Sequence, residues 1–129
     1  MKKTKEIRVL MVEPGEKPKE ALLKTDLDSL QKAVSIGCEE QGLIEMVSIG
    51  RKCSILCHEE GKILGLPGNR RMGNDIIAGV FYIFGDTPSG GMRSLTDEEF
   101  EHWYKVFEHP EYYTDTEVTE SIMLKFFGL

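Results

Sequence analysis

Two strongly apolar runs, separated by a short glycine-rich segment, most constrain what this chain can fold into. The runs occupy residues 62–66 and 75–84. The second run, DIIAGVFYIF, is apolar at both alternating sets of positions, which is typical of a strand covered on both faces. We therefore expect residues 75–84 to form the central strand of a sheet. Gly79 within this run predicts a bulge or a close contact with another part of the chain.

Further strands are predicted where apolar residues alternate or cluster between turn residues. Residues 17–24 are ambiguous between a strand and a helical turn, and a strand at 21–23 fits better because Pro18 leaves little room for a helix. Gly50 and residues 59–62 are predicted to form tight turns between neighbouring strands, so an antiparallel meander is expected around them. The predicted strands are residues 6–13, 21–23, 43–49, 52–58 and 63–66.

Two helices are expected to cover the sheet. The first begins after Thr25 or Asp26 and ends at Gly37, which is a natural C-terminal stop. The second has the clearest start signal in the chain, because Thr96 and Glu99 have the spacing of a capping box. Each helix has an apolar stripe at helical spacing. The stripes are Leu27, Leu30, Ala33 and Val34 in the first helix, and Phe100, Trp103, Tyr104 and Phe107 in the second.

Length and composition fit one compact domain with its own core. The chain has 129 residues, of which 40% are hydrophobic and 29% are charged. We predict an α+β fold over residues 1–110, a mostly antiparallel sheet of about four to six strands with two packed helices. Residues 111–129 are predicted to form a C-terminal extension that becomes helical near Glu117. Its apolar side chains either dock on the domain or mediate homo-oligomerisation, principally through Ile122, Phe126 and Phe127.

The charge distribution argues against general nucleic-acid binding. The net charge is −6, and residues 1–93 carry 13 acidic and 14 basic residues, whereas residues 94–129 carry 9 and 2. The basic footprint that nucleic acid requires is therefore not expected. No apolar run approaches the roughly 20 residues of a membrane span. Three cysteines without an export signal predict a cytoplasmic protein with reduced thiols.

The segment between the two apolar runs has the residue types of a turn that binds anions. Glycine and asparagine tolerate left-handed backbone conformations, and two adjacent arginines supply guanidiniums suited to phosphate or carboxylate. An alternative stays open, in which the arginines are solvated or hold nearby carboxylates and loop carbonyls. The predicted ligand-binding residues are Gly68, Asn69, Arg70 and Arg71, with Arg93 as a further positive charge and Tyr82 or Phe84 as a stacking face.

The sequence contains no pattern typical of a metal site or of catalytic residues. We therefore predict no enzymatic activity, no metal and no cofactor. On a strand, Cys53 and Cys57 lie roughly 13 Å apart at about 3.3 Å per residue, while His58 points to the opposite side, and one ion cannot bridge that arrangement. No nucleophile motif is present. The carboxylate pairs at 39–40 and 59–60 are adjacent in sequence, and acid–base work by either pair is unsupported.

The acidic C-terminal third supports a second hypothesis, that of a protein-interaction module. Nine acidic residues lie between Asp97 and Glu120, against Lys105 alone. Such a face can imitate a phosphate backbone or meet a basic cleft. A solvated helix face is the plainer alternative. The residues predicted to carry the interaction are Glu98, Glu101 and Glu108.

Five motifs together resemble a family of small bacterial, phage and mobile-element proteins of unknown function. They lie between about residues 9 and 107 and read VEPGEKP, DLDSLQKAV, HEEGKILGLPGNR, DIIAGVFYIFG and SLTDEEFEHWYKVF. The resemblance implies an accessory protein of a mobile element in the cytoplasm of a bacterial host. Together with the arginine segment, it leads us to expect a non-enzymatic protein that sequesters a small anionic, nucleotide-derived ligand and so evades host defence. The alternative is an acidic inhibitor of a host defence or nucleic-acid enzyme.

Overall fold

The computed structural model describes the backbone of residues 5–127 and the side chains of residues 5–122. The predicted oligomer contacts of Phe126 and Phe127 lie outside the described side chains. Eight strands and three helices follow one another along the described chain. They are β1 (Glu6–Val12), β2 (Lys19–Lys24), α1 (Leu27–Val34), β3 (Ile44–Gly50), β4 (Cys53–His58), β5 (Gly68–Met72), β6 (Asp75–Ala78), β7 (Phe81–Asp86), β8 (Met92–Arg93), α2 (Asp97–Phe107) and α3 (Asp115–Phe127).

The main sheet has six strands in the order β2-β1-β7-β4-β3, with β8 paired to β7. All of its strand pairs are antiparallel. Strands β5 and β6 form a separate two-stranded hairpin. The α+β fold predicted from the sequence is therefore confirmed. Within the described residues, no helix is both long enough and apolar enough to cross a membrane.

The run at 75–84 is two strands rather than one. Residues from Phe81 onward form the expected central strand β7, which pairs with both β1 and β4. The chain turns just before it, at Gly79, whose φ of 81° is a left-handed conformation that favours glycine. A Cβ at Gly79 would lie 2.8 Å from Leu66 Cδ1. The glycine therefore allows both the turn and the close contact, and β6 leaves the sheet to pair with β5.

The predictions on either side of Pro67 are reversed in the structure. Residues 63–66 do not form the third strand of a meander but consecutive turns, in which the Leu64 amide donates to Glu60 O at 2.9 Å and the Leu66 amide to Gly61 O at 3.0 Å. Ile63 and Leu64 are 66% and 53% exposed. Residues 68–72, predicted as a loop, are strand β5. The apolar residues at 63–64 are thus part of the exposed surface and not of a buried strand.

Two cores lie on opposite faces of the sheet, because successive side chains of β7 alternate between them. Helix α2 covers one face and α1 covers the other. The first core includes Phe81, Ile83, Trp103 and Phe107, and the second includes Tyr82, Phe84, Leu30 and Val34. Leu27, predicted to lie on the packed stripe of α1, is instead 61% exposed as the first residue of the helix.

Both helix starts predicted from the sequence are confirmed. Asp26 caps α1 by accepting from the Ser29 amide at 3.0 Å. Thr96 caps α2, with the reciprocal bonds of a capping box to Glu99. The described part of α3 docks on the domain, because Val118 and Ser121 are buried and the helix contacts β6.

Candidate functional site

Arg70, the arginine expected to bind an anion, is a fully buried residue within the domain. Its Nε and Nη2 donate to Phe107 O at 3.1 and 3.0 Å, and Nη2 also donates to Glu16 O at 2.7 Å. Its Nη1 donates to Asn69 Oδ1 at 2.8 Å. Burial lowers the pKa of Arg70 from its ordinary value. The guanidinium therefore joins β5 to the last turn of α2 and to the β1–β2 connection, and its donors are already used.

Asn69 is equally buried and has a similar role. Its Nδ2 donates to Val12 O at 2.8 Å and to Gly79 O at 2.9 Å. These acceptors lie at the end of β1 and at the turn between β6 and β7. The side chain thus ties the small hairpin to the main sheet, and it faces the protein rather than solvent.

The remaining residues of the predicted ligand site do not converge on one place. Arg71 is exposed, with its guanidinium 5.5 Å from the centroid of the Tyr113 ring. Tyr82 is buried under α1, where its hydroxyl donates to Ala33 O at 2.8 Å. Arg93 forms a bidentate pair with Glu99 at the start of α2. Because Arg70 meets Phe107 at the other end of this helix, eight residues after Glu99, the two contacts are roughly 12 Å apart at about 1.5 Å per residue.

The other two predicted binding residues, Gly68 and Phe84, are also packed against protein. A Cβ at Gly68 would lie 3.0 Å from both Tyr113 Cβ and Val118 Cγ2, and Phe84 is 2% exposed. Gly68 therefore provides close packing for α3. Of the residues predicted to hold the anion, Arg71 is the only one within the described chain whose side chain is exposed, and Arg93 is half-buried and paired with Glu99.

The acidic residues predicted as an interaction surface are mostly on the outside. Glu98 and Glu101 are exposed, and Glu101 forms a 3.1 Å ion pair with Lys105 on the same helix. Glu108 is half-buried. The exposed acidic side chains of α2 and α3 are Asp97, Glu98, Glu101, Asp115, Glu117 and Glu120.

An open cavity of about 590 Å³ lies elsewhere, between residues 37–43 and residues 58–66. The topology brings these two segments together. Because β3 and β4 are antiparallel neighbours, the residues that precede β3 must meet those that follow β4. The Glu59 amide accordingly donates to Leu43 O at 3.0 Å. The Gly42 amide donates to Ser35 Oγ at 2.9 Å, which ties the wall to the end of α1.

His58 lies in the wall of this cavity and has an unused hydrogen-bond donor. The side chain is 6% exposed, and its Nδ1 accepts from the Glu60 amide at 2.9 Å. The neutral ring therefore carries its proton at Nε2. Among the described residues Nε2 has no partner. An unpaired buried donor of this kind costs about 1–3 kcal/mol.

Gly42 is required beside His58 for steric reasons. A Cβ at Gly42 would lie 2.0 Å from His58 Nε2 and 2.4 Å from Cε1. The imidazole therefore occupies the space of a side chain at this position. The Gly42 backbone covers Nε2, so the donor is separated from the cavity by one residue of the 38–42 segment.

The rest of the lining combines negative charge with apolar surface. Glu39, Glu40 and Glu60 contribute three carboxylates, and no lysine or arginine lines the cavity among the described residues. Leu43 and Leu64 are 58% and 53% exposed at its rim. A cavity with one buried donor, apolar walls and a negative rim can hold a ligand of matching chemistry. Within the described part of the chain, no cluster of three or more His, Cys, Asp or Glu side chains is arranged to hold a metal ion.

Sequence reasoning missed this cavity although a usable signal was present. The carboxylate pairs 39–40 and 59–60 are each made of neighbours along the chain, and adjacency in sequence does not relate one pair to the other. The pairing of β3 with β4 was predicted, and it places residues near 40 beside residues near 60. His58, at the end of β4, lies between them.

The described chain is thus a small α+β domain with an open, acidic cavity at one end of a strand pair. The chain belongs to the family described as a domain of unknown function, DUF3846, whose model matches residues 7–108. This match confirms the resemblance to a family of unknown function, and it covers both walls of the cavity. No curated protein and no solved structure gives a significant match.

Proposed function

We propose that this protein is a non-enzymatic binding protein that holds a small ligand in the cavity beside His58. The observation that carries the proposal is the unpartnered Nε2–H of a buried histidine at the wall of an open cavity. Buried polar groups in folded proteins are nearly always hydrogen-bonded, and an exception calls for an explanation. A ligand acceptor that reaches Nε2 supplies the missing partner.

Ligand entry requires a small movement of the 38–42 segment, because the Gly42 backbone covers Nε2. The segment has tethers at its ends. The Cys38 amide donates to Ser35 O at 3.0 Å, and the Gln41 side chain donates to Gln31 Oε1 at 2.8 Å. A displacement that breaks the bond from the Gly42 amide to Ser35 Oγ, and keeps the bond from the Cys38 amide to Ser35 O, would open the cavity towards the imidazole.

The cellular role that we propose is that of a mobile-element accessory protein that sequesters a ligand used in host defence. This role rests on the sequence resemblance. The anionic, nucleotide-derived ligand expected from the arginine segment would have to rely on Arg71, since Arg70 already donates to the protein. The His58 cavity is the better candidate because its donor has no acceptor.

The experiment is a thermal-shift screen of small molecules with two variants at neighbouring positions. Leu64→Ser changes the lining of the cavity, and Ile63→Ser changes a neighbouring exposed side chain outside the lining. A ligand at a hundred times its dissociation constant stabilises the native state by about 2.7 kcal/mol. We expect a hit whose shift is lost in Leu64→Ser and kept in Ile63→Ser. Hits that both variants retain would place binding elsewhere.

A second candidate function is supported by the exposed acidic face of α2 and α3. Six acidic side chains are exposed there, and two of them form ion pairs, Glu101 with Lys105 and Asp97 with Arg8. A basic protein partner is the binding class that this face fits. Charge reversal at Glu98, Glu101 and Glu108 should abolish such binding and leave the cavity ligand unaffected. Retention of the partner by that variant would remove this candidate.

A further inference from the structure

We propose that the ligand of the His58 cavity carries an alkylammonium group and, at the far end of an aliphatic chain, a hydrogen-bond acceptor. This inference rests on the proposed function and specifies the ligand's chemistry. It follows from three features of the lining, which are its charge, its apolar wall and the tautomer of His58.

The charge of the rim selects a cation. Glu39, Glu40 and Glu60 belong to the lining, and no lysine or arginine lines the cavity among the described residues. Glu59, next to the lining, is also exposed and acidic. A phosphate or carboxylate entering the cavity would meet carboxylates without a compensating cation, whereas an ammonium would be attracted by them.

The apolar wall selects an aliphatic chain. Leu43, Leu64 and Leu66 contribute to the lining, and the first two are more than half exposed. Exposed leucines in the lining of a cavity are stabilised when a methylene chain covers their apolar surface. A chain that ends in ammonium lies along such a surface while its charge stays at the polar rim, as lysine side chains do.

The tautomer of His58 selects an acceptor. Because Nδ1 already accepts from the Glu60 amide, the neutral ring offers only an N–H at Nε2. An ammonium cannot pair with it, since both are donors. The ligand must therefore have a carbonyl, hydroxyl or ether oxygen at the end that reaches His58. A free amino alcohol and a lysine residue within a peptide both have this combination.

The test compares probes that differ in one group, by titration calorimetry on the full chain. Acetyl-lysine methylamide, acetyl-norleucine methylamide and acetyl-glutamate methylamide share a backbone and differ in the charge of the side chain. We expect the lysine compound to bind about tenfold more tightly than the other two, and more weakly as salt is added. Aminopentanol should likewise bind more tightly than cadaverine, which has no acceptor for Nε2. Of aminopentanol and the lysine compound, the tighter binder identifies a free amine or a peptide as the source.

Matched variants locate the binding. Glu60→Gln removes one rim charge, while Glu59→Gln removes a neighbouring charge outside the cavity lining. We expect the first to weaken the lysine probe several-fold and the second to leave it unchanged. Equal effects of the two variants would overturn the inference.

The outcomes also separate this inference from the proposed function. If an anionic compound binds more tightly than the cations, and Leu64→Ser abolishes that binding while Ile63→Ser does not, the cavity is a ligand site and the inference about charge is wrong. If cadaverine matches aminopentanol, the acceptor is not needed and that part of the inference is wrong. If neither these probes nor any screened compound binds, the proposed function itself fails.

Discussion

Replacing Arg70 by methionine should destabilise the protein far more than the same change at Arg71. The two residues are neighbours on β5, but the Arg70 side chain is 0% exposed and the Arg71 side chain is exposed. Arg70→Met keeps an unbranched chain of similar length and removes every hydrogen bond that the guanidinium makes. The carbonyl oxygens of Phe107 and Glu16 would lose the donors that they have in the native state.

The magnitude follows from these lost contacts. A buried acceptor that is left without its donor typically costs about 1–3 kcal/mol, so the loss at Phe107 O, Glu16 O and Asn69 Oδ1 together should cost about 3–5 kcal/mol. That is a large share of the stability of a domain of this size, which is on the order of 5–15 kcal/mol. It should lower the midpoint of thermal unfolding by about 10–20 °C. Arg71→Met removes an exposed contact with Tyr113 and should cost about 0.5 kcal/mol or less.

The assay is urea unfolding of both variants and the parent, followed by circular dichroism and tryptophan fluorescence. Trp103 packs in the same core as Phe107, so its emission reports the region that Arg70 holds. We expect a large drop in the free energy of unfolding for Arg70→Met with an unchanged slope. Similar small losses in the two variants would refute the assignment of Arg70 as a residue that holds the fold together.

Three further predictions concern packing and pH. Gly42→Ala places a Cβ on the His58 ring and should destabilise the protein by about 1–3 kcal/mol in urea unfolding, as expected for overpacking; a neutral effect would contradict this contact. Gly79→Ala requires a left-handed residue against Leu66 and should cost more than about 1 kcal/mol in the same assay; wild-type stability in this variant would count against the turn. Pairing with the Arg93 guanidinium is the largest of the causes that lower the pKa of Glu99 from 4.5 to about 2. Stability from this lowered pKa is present above about pH 4.5 and is lost as the pH falls towards 2, so Glu99→Gln should flatten that part of the stability profile, and an unchanged profile would be evidence against the pair.

The sequence predicted the fold well where local rules agree with tertiary packing. The capping box at Thr96 specifies where α2 begins, because its bonds are made within four residues. The run after Gly79 is apolar at both alternating sets of positions, as a central strand covered on both faces requires. The start of α2 depends on residues close in sequence, and β7 depends on burial on both faces. Residue types indicate both properties.

The segment at 62–72 could not be predicted from residue types alone. Ile63 and Leu64 have strand-like side chains, yet turns at this point leave them exposed beside the cavity. Arginine is a residue type that is usually found at the surface. The burial of Arg70 depends on carbonyl acceptors at Glu16 and Phe107, which are distant in sequence. Such partners are known only once β5 is placed against α2.

The candidate site was hidden for a similar reason. Strand geometry relates His58 to Cys53 and Cys57 on its own strand, whereas the contacts of its imidazole are with Gly42 and Glu60. The sequence around Gly42 does not indicate a steric role for this glycine, since a turn before a strand is sufficient to explain it. Its steric relation to the imidazole appears only when β3 and β4 pair.

The most direct test of the central claim is a ¹H–¹⁵N correlation spectrum of the labelled protein, titrated with acetyl-lysine methylamide. The account predicts saturable shifts of three signals. The Gly42 amide shifts because the ligand displaces Gly42, the Glu60 amide shifts because the ligand lies beside it, and the His58 Nε2–H shifts because it donates to the ligand. Shifts confined to Arg71 and the acidic helices, with the amides around His58 unmoved at saturation, would contradict it.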